Sequence, residues 1–172
     1  LEDDRFAVSK LETIGRSSEK MVSLISGLLE IASIESGKLQ PNLKKIDVEQ
    51  TVHSVATSLT PLAEAKKQIL HVDVNTNQSI YADNTLLIQV LKNLLSNAIK
   101  FSPHEKNIWF SVKGSETGDR VIFIIRDEGP GLTESDKSKM FQKFQRLSNK
   151  PTGGENSTGL GLAITKDLVE LH

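Results

Sequence analysis

With 172 residues, the chain is long enough for one domain of ordinary size, with or without an extension. Charged residues make up 25% of it and the formal net charge is −1, so no basic excess predicts nucleic-acid binding. Cysteine is absent, which excludes disulfides, thiolate metal sites and a cysteine nucleophile, and no apolar run approaches the ~18–20 residues of a membrane span.

The first predicted element is a long helix over residues 3–36, which Ser36-Gly37 brings to a stop. Apolar or small side chains recur along it at alternating steps of three and four, the spacing of a helix that packs along partner helices. Further apolar positions widen this stripe, which favours a bundle over a two-stranded coiled coil. The members of this heptad seam are Leu11, Ile14, Ser18, Met21, Ile25, Leu28 and Ala32.

After a linker over residues 38–45, the pattern predicts a helix, two strands and a second amphipathic helix. Asp47 is a capping residue for the first of these helices, which we expect to reach Lys67. Alternation over residues 69–74 predicts a strand, and residues 80–82 predict a shorter one. Asp83 is the expected N-cap of the next helix, whose buried side would comprise Leu87, Val90, Leu91, Leu94 and Ala98.

The second half of the chain begins with a predicted hairpin. Residues 108–112 and 121–125 are its strands, on either side of a turn region over residues 114–119. The second strand is continuously apolar, which is typical of a central strand. A short helix after Thr133, a Gly- and Ser-rich loop over residues 148–158 and a last helix reaching Leu171 follow. This order predicts an α+β fold with helices on one face of a mixed sheet.

One stripe on the helix after Asp83 has an unusual composition. Asn93 and Asn97 are one turn apart, and Lys100 and Phe101 continue the same face. The amide oxygen of Asn97 suits Mg²⁺, which shares its coordination shell with phosphates and water. Lys100 can bind phosphate, and Phe101 can stack on a purine. The alternative is that both asparagines are solvated and Phe101 belongs to the core.

Two glycine motifs accompany this stripe. Asp127 follows an apolar strand and precedes Gly-Pro-Gly, so its carboxylate could accept a hydrogen bond from an adenine amine while the glycines let the backbone approach the base. An ordinary turn at a strand end is the alternative. Gly159 and Gly161 open the last helix, where backbone N–H groups can bind phosphate. This motif is neither a Rossmann fingerprint nor a P-loop, and alone it is also compatible with a simple helix entry.

Taken together, four motifs in this order resemble those of sensor histidine kinases. The resemblance covers residues 48–172 and implies the Bergerat ATP-binding fold, a two-layer α/β sandwich with a mixed sheet, preceded by the long helix. It divides the chain into residues 1–40, similar to the second helix of a dimerisation and phosphotransfer hairpin, and residues 41–172, a catalytic ATP-binding domain. The motifs are Asn93-Leu94-Leu95-Ser96-Asn97-Ala98 (N box), Asp127-Glu128-Gly129-Pro130-Gly131 (G1 box), Phe141-Gln142-Lys143-Phe144 (F box) and Gly159-Leu160-Gly161-Leu162-Ala163-Ile164 (G2 box).

The resemblance implies ATP and Mg²⁺ as ligands and assigns roles to the motif residues. Asn97 would ligate the metal, with Asn93 and Lys100 lining the phosphate site as the other catalytic residues. Phe101 would pack near the adenine and Asp127 would bind its amine. The other residues implied in nucleotide binding are Gly129, Gly131, Leu132, Phe144, Arg146, Thr158, Gly159, Leu160 and Gly161, and residues 148–158 would form the ATP lid.

The residue type at position 93 bears on which of two reactions is expected, ATP hydrolysis or phosphoryl transfer to a protein. Related ATPases of the superfamily carry a glutamate there as the base that activates water, and an amide cannot be that base. The resemblance therefore implies phosphoryl transfer to a protein histidine in a helix that the chain lacks. None of the four histidines stands in the family's acceptor motif, so autophosphorylation is not expected from this piece alone; these are His53, His71, His104 and His172.

The family also implies partners and a location. We expect a phosphoacceptor helix of the same kinase or its dimer mate, a response regulator and homodimerisation through the first helix, in a cytoplasmic portion of a parent that can be membrane-anchored. We expect the catalytic domain to be truncated at its C-terminal strands.

A catalytically silent nucleotide-binding module is the main alternative. A purely structural dimerisation fragment is a third, against which the intact Asn97, Lys100, Asp127, Gly129 and Gly159 argue.

Overall fold

The computed structural model describes residues 2–76, 78–118, 120–153, 155 and 158–172. Within the first helix, the side chains of residues 2–5, 7–9, 12 and 16 are not described. Asp119 of the predicted hairpin turn, and Gly154, Asn156 and Ser157 of the predicted lid, lie outside the described residues. The described part has an α+β architecture with a mixed sheet and a long N-terminal helix, as the sequence predicts.

The helices and strands follow the predicted order, with one addition. The additional strand lies in the predicted linker and pairs with the strand that precedes Asp83. In chain order the elements are α1 (Glu2–Glu35), β1 (Lys44–Ile46), α2 (Val48–Ala65), β2 (Ile69–Asn75), β3 (Ile80–Ala82), α3 (Asn84–Phe101), β4 (Asn107–Gly114), β5 (Val121–Asp127), α4 (Glu134–Lys139) and α5 (Gly161–Leu171).

The larger sheet has the order β2-β4-β5, with β2 parallel and β5 antiparallel to β4. The central position predicted for residues 121–125 is wrong, because β4 is the central strand and β5 lies at an edge of the described sheet. Ile122 and Ile124 are 40% and 37% exposed. Their side chains lie on the open face, so the continuous apolar run of β5 does not reflect burial on both faces.

The main core lies between the helices α2 and α3 and the covered face of the sheet. Val52, Val55, Leu95 and Phe110 are fully buried there. On α3 the predicted Val90, Leu91 and Ala98 are buried, whereas Leu87 and Leu94 are only half-buried. The buried face is wider than one stripe, because α3 packs against α2 on one side and α5 on the other; it also includes Leu86, Leu95 and Ile99.

Helix α1 packs on α5 and α3 through one narrow face. Ile31 is buried against the apolar cluster that contains Leu160 and Ile164. Gly27 permits this close approach, because a Cβ at this position would lie 3.0 Å from the Leu160 Cδ1 atom. Most of the predicted heptad seam points away from this contact and is exposed: Leu11, Ile14, Met21, Ile25, Leu28 and Ala32.

Polar contacts hold the same helix in place. Gln89 of α3 donates a hydrogen bond of 2.6 Å from Nε2 to the Glu30 carboxylate. Glu35, at the end of α1, forms an ion pair with Lys143 in the segment after α4. The helix therefore contacts both α3 and the segment that leads into the predicted lid. No helix among the described residues is long and apolar enough to cross a membrane.

Candidate functional site

A cleft of about 800 Å³ lies between α3, the start of α5, the segment from α4 to α5 and the inner face of α1. Helix α3 supplies its floor with the four-residue stripe, namely Asn93, Asn97, Lys100 and Phe101. Helix α1 contributes Lys20, Ser23, Ser26, Gly27 and Glu30. The remaining wall is built from Met140, Gln145–Pro151, Glu155, Thr158–Leu162 and Ile164.

Helix α3 orients the stripe through its cap and its buried face. The Asp83 carboxylate accepts hydrogen bonds from the backbone N–H groups of Thr85 and Leu86, at 2.9 and 3.2 Å, and fixes the helix start. Burial of residues such as Leu91 then sets the rotation of the helix about its axis. The stripe consequently lies at the margin of the core, half-buried, with its polar atoms facing the cleft.

Asn93 bridges α3 to the start of α5. Its side-chain nitrogen donates a hydrogen bond of 2.6 Å to the Thr165 hydroxyl. Its amide also lies against the backbone of Gly161, where an added Cβ would come within 2.5 Å of the Asn93 Oδ1 atom. The N box and the G2 box are thus in direct contact, and a Cβ at residue 161 would displace the Asn93 amide.

The backbone before α5 passes close to the segment after α4. Gly159 has a φ of +74°, and a Cβ on it would lie 2.7 Å from the Gln145 carbonyl oxygen. A side chain is therefore excluded both by conformation and by space. The side chain of Leu160, the N-cap of α5, makes no cap hydrogen bond, and the Leu160 backbone N–H donates a hydrogen bond of 3.4 Å to the Thr158 hydroxyl beside the cleft.

A buried carboxylate anchors the beginning of the lid. Asp136 of α4 accepts hydrogen bonds from the Ser148 hydroxyl, from the Ser148 backbone N–H at 2.9 Å and from the Thr133 hydroxyl at 2.7 Å. Ser148 first, and then Thr133, lower the pKa of Asp136 to about 2. Asn149 adds a hydrogen bond from its side-chain nitrogen to the Gly131 carbonyl oxygen. The start of the lid is therefore joined to both α4 and the G1 box.

Most of the residues predicted for the site line this one cleft. They are Asn93, Asn97, Lys100, Phe101, Arg146, Thr158, Gly159, Leu160 and Gly161. The remaining predicted residues do not line it: Asp127, Gly129, Gly131, Leu132 and Phe144. Phe144, with a φ of +62°, is exposed.

The G1 box lies at the C-terminal end of α3 rather than in the cleft itself. The Asp127 carboxylate accepts a hydrogen bond of 2.7 Å from the Gly129 backbone N–H. A Cβ on Gly129 would lie 3.2 Å from the Phe101 carbonyl oxygen, so this loop packs directly against the end of the stripe. Asp127 and Leu132 remain exposed.

The cleft wall from α1 was not predicted from the sequence. Along the sequence, its residues lie between the positions of the predicted heptad seam. The seam pattern predicts one contact face of the helix and gives no information on what a second face contacts. Gly27, a glycine inside an otherwise regular helical pattern, was the available signal, because such a glycine often marks a close packing contact.

Cationic side chains outnumber carboxylates in the cleft lining. Lys20, Lys100, Arg146 and Lys150 face two carboxylates, Glu30 and Glu155. Both carboxylates have partners, since Glu30 accepts from Gln89 and Glu155 pairs with Lys66. The balance of charge favours a polyanionic ligand such as a nucleoside triphosphate.

Comparison with known proteins shows which family the chain resembles. Residues 82–172 match the family described as histidine kinase-, DNA gyrase B-, and HSP90-like ATPase. The circadian input-output histidine kinase CikA of Synechococcus elongatus is 35% identical over 165 residues, which cover 94% of this chain and 22% of that protein. The sensor histidine kinase WalK of Bacillus subtilis is 28% identical, over 90% of this chain and 25% of that protein.

Solved structures match most of the chain as well. ShkA, solved at full length in complex with AMPPNP, has a TM-score of 0.79 and 28% identity over 98% of this chain and 34% of its own. The histidine kinase AdeS of Acinetobacter baumannii has a TM-score of 0.76 and 25% identity over 94% of this chain and 72% of its own. The chain spans about a fifth to a quarter of the length of the curated relatives named above.

Proposed function

We propose that this chain, which belongs to the family of histidine kinase-, DNA gyrase B- and HSP90-like ATPases, binds Mg–ATP in the cleft. It would then transfer the γ-phosphoryl group to a protein histidine. Its named relatives are histidine kinases, and its four sequence motifs resemble those of the catalytic domain of such kinases. The observation that carries the proposal is the convergence of Asn97, Lys100 and Gly161 on one cationic cleft.

The phosphates would lie between α3 and the start of α5. Lys100 supplies positive charge from the floor of the cleft, and Arg146 supplies it from the segment between α4 and α5. The backbone N–H groups at the start of α5 add hydrogen-bond donors and the positive end of the helix dipole. Gly159 and Gly161 let this helix start pack closely against the Gln145 backbone and the Asn93 amide, because a Cβ on either glycine would lie within 2.7 Å of these groups.

The residues of the cleft fit a magnesium ion that is brought in with the nucleotide. Among the described residues, no group of three or more His, Cys, Asp or Glu side chains could hold a metal by itself. A neutral amide oxygen from Asn97 is a suitable single protein ligand, because Mg²⁺ takes its other ligands from phosphates and water. The bound ion would neutralise phosphate charge as the γ-phosphoryl group leaves.

Asp127 is the proposed adenine contact, at the edge of the cleft rather than within its lining. Its carboxylate is exposed, and the adjoining loop packs against the Phe101 carbonyl, so a base stacked near Phe101 would lie within reach. The carboxylate would accept a hydrogen bond from the exocyclic amine of adenine, with Gly129, Gly131 and Leu132 shaping the base pocket. Thr158 belongs to the predicted lid, which would close over the nucleotide, and Phe144 would lie at the root of this lid.

The chemistry of Asn93 favours transfer over hydrolysis. Its amide is engaged with Thr165 and Gly161, and an amide cannot accept a proton from water at neutral pH. Water near the γ-phosphate would therefore lack a base at this position. We propose that Asn93 instead positions the start of α5 against the phosphates.

The acceptor and the partners complete the proposal. Because none of the chain's histidines stands in an acceptor motif, the phosphoryl group would pass to a helix outside these residues, of the same kinase or its dimer mate. Autophosphorylation of this chain alone is then not expected. The exposed seam of α1 would pair with a second copy in the intact kinase, and a response regulator would receive the phosphoryl group downstream.

Phosphotransfer to an added acceptor tests this proposal. The chain is mixed with γ-labelled Mg–ATP and a separately produced helical hairpin that carries a family acceptor histidine. We expect acid-labile label on the hairpin, and no label on this chain alone. ATP binding without label on the hairpin would instead favour the catalytically silent module. Absence of ATP binding would contradict both readings.

A further inference from the structure

A lysine outside the cleft has an unusual environment. Lys66 is the C-cap of α2 and is only 5% exposed. Its ammonium donates hydrogen bonds to the backbone carbonyl oxygens of Ile99 at 2.7 Å and Lys100 at 3.1 Å. These carbonyls belong to the last turn of α3, where carbonyl groups lack partners within the helix and the negative end of the helix dipole favours a cation.

The lid docks on the same turn. Thr152 donates to the Lys100 carbonyl oxygen from its backbone N–H at 2.9 Å and from its hydroxyl at 3.1 Å. The hydroxyl also lies 2.8 Å from the Ser102 carbonyl oxygen. The Lys100 carbonyl thus receives donors from Lys66 and from Thr152 together. The side chain of this same Lys100 lines the candidate phosphate site.

Glu155 supplies the counter-charge to the buried lysine. Its carboxylate lies 3.5 Å from the Lys66 ammonium and accepts a hydrogen bond of 2.9 Å from the Gly153 backbone N–H. Burial would raise the pKa of Glu155, but the backbone N–H groups and the Lys66 charge outweigh burial and hold the pKa below its usual range. The carboxylate is therefore ionised at neutral pH and paired.

Burial makes the partners of the Lys66 ammonium energetically important. A buried ammonium needs acceptors for its three N–H groups and an opposite charge nearby. Two carbonyls of α3 provide the first requirement in part, and the second comes from Glu155, a residue of the lid. An undocked lid would leave Lys66 without this counter-charge, so the buried lysine favours the docked position of the lid.

We propose that Lys66 is a positioning residue of the nucleotide site, acting through Glu155 and the last turn of α3. It keeps the lid docked beside Lys100 before the nucleotide arrives, so that less ordering is required when the phosphates bind. This inference rests on the proposed binding of Mg–ATP in the cleft. Lys66 itself touches no substrate, since it does not line the cleft.

The test compares variants of the full chain by titration calorimetry with Mg–ATP and with adenosine. Glu155→Gln removes the counter-charge from a half-buried side chain and should leave the core intact. We expect its ATP affinity to fall about three- to tenfold, while adenosine affinity stays unchanged because adenosine lacks the phosphates. Hydrogen exchange at residues 148–153 should accelerate in the same variant.

A second ion pair of equal length serves as the matched control. Lys67 and Glu105 are also 3.5 Å apart, but both side chains are exposed. Glu105→Gln should change neither ATP affinity nor lid exchange, because an exposed pair contributes little. Lys66→Met should weaken ATP binding at least as much as Glu155→Gln, and the double variant should be no weaker than Lys66→Met alone.

The outcomes separate this inference from the proposed function. If the unaltered chain fails to bind Mg–ATP, the proposed function itself fails. If it binds and Glu155→Gln leaves ATP affinity and lid exchange unchanged, or tightens ATP binding, the positioning role of Lys66 is overturned. Should Lys66→Met fail to fold, Glu155→Gln and its Glu105→Gln control decide the question by themselves.

Discussion

The side-chain oxygen of Asn93 and the backbone of Gly161 lie so close that a Cβ at residue 161 would be 2.5 Å from the Asn93 Oδ1 atom. This contact joins two motifs that are far apart in sequence into one wall of the cleft. It depends on the residue at each end, since the amide of Asn93 also bonds to Thr165 on α5. The start of α5 is therefore positioned by α3 directly.

Gly161→Ala should separate folding from nucleotide binding. Alanine favours the helix at this position, but its Cβ must push the Asn93 amide away from Thr165. We expect ATP affinity to fall about tenfold with little change in thermal stability. Gly15→Ala is the control, because a Cβ on Gly15 meets nothing within 4 Å. Equal ATP affinity in the two variants would contradict the role given to this contact.

Asp127→Ala should relax the preference for adenine. Loss of a charged hydrogen-bond acceptor for the exocyclic amine is expected to cost about tenfold in ATP affinity. Inosine triphosphate, which lacks that amine, should lose much less, so the ratio of the two affinities is the informative measurement. Asp73→Ala, at an exposed position of β2, is the control. An unchanged ratio in Asp127→Ala would place the base elsewhere.

Acid should weaken the anchor at the start of the lid. The folded-state pKa of Asp136 is about 2, below the ordinary aspartate pKa of 3.8. Because the folded state holds this carboxylate ionised more strongly than the unfolded chain does, its stabilisation is present above about pH 4 and is lost as the pH falls towards about 2.

Denaturant unfolding at about pH 7 and about pH 3 measures this contribution. Asp136→Asn should be less stable than the unaltered chain at the higher pH, with a smaller difference at the lower pH. Glu134→Gln, an exposed carboxylate on the same short helix, is the control and should have little effect at either pH. A stability difference that is independent of pH would show that Asp136 acts by shape rather than by charge.

Docking of α1 should depend on one of its faces. Ile31 is 5% exposed in the cluster with Leu160, whereas Leu29 on the same helix is 65% exposed. We expect Ile31→Ala to lower the free energy of unfolding by about 2–4 kcal/mol, because it leaves a cavity between α1 and α5. Leu29→Ala should lower it by less than about 0.5 kcal/mol. Similar losses in both variants, measured by denaturant unfolding, would contradict the docked arrangement.

The elements predicted best were those specified by local signals. Asp83 caps α3 as expected, and the Thr133 cap begins α4, because a side-chain acceptor before a helical pattern acts within one turn. The stripe of α3 faces a cleft because helical periodicity alone decides which residues share a face. The four motifs supplied the family, which the comparison with known proteins confirms.

What the sequence could not supply depends on tertiary contacts. Strand β1 is three residues long and forms by pairing with β3, so no alternating pattern of apolar residues predicted it. The edge position of β5 follows from the order of strands, which a run of apolar residues does not encode. Docking of the lid on the carbonyl oxygen of Lys100 could not be predicted either, because every residue carries the same backbone acceptor.

The central claim is that Asn97 and the surrounding cleft bind ATP together with magnesium. Titration calorimetry of the chain with ATP, with and without Mg²⁺, tests it directly when repeated on Asn97→Asp, whose added negative charge would oppose the phosphates. Asn75→Asp adds the same charge at an exposed position of β2 as a control. We expect Mg²⁺-dependent ATP binding that weakens about tenfold or more in Asn97→Asp and is unchanged in Asn75→Asp. Binding that is indifferent to Mg²⁺, or equal in the two variants, would contradict the account.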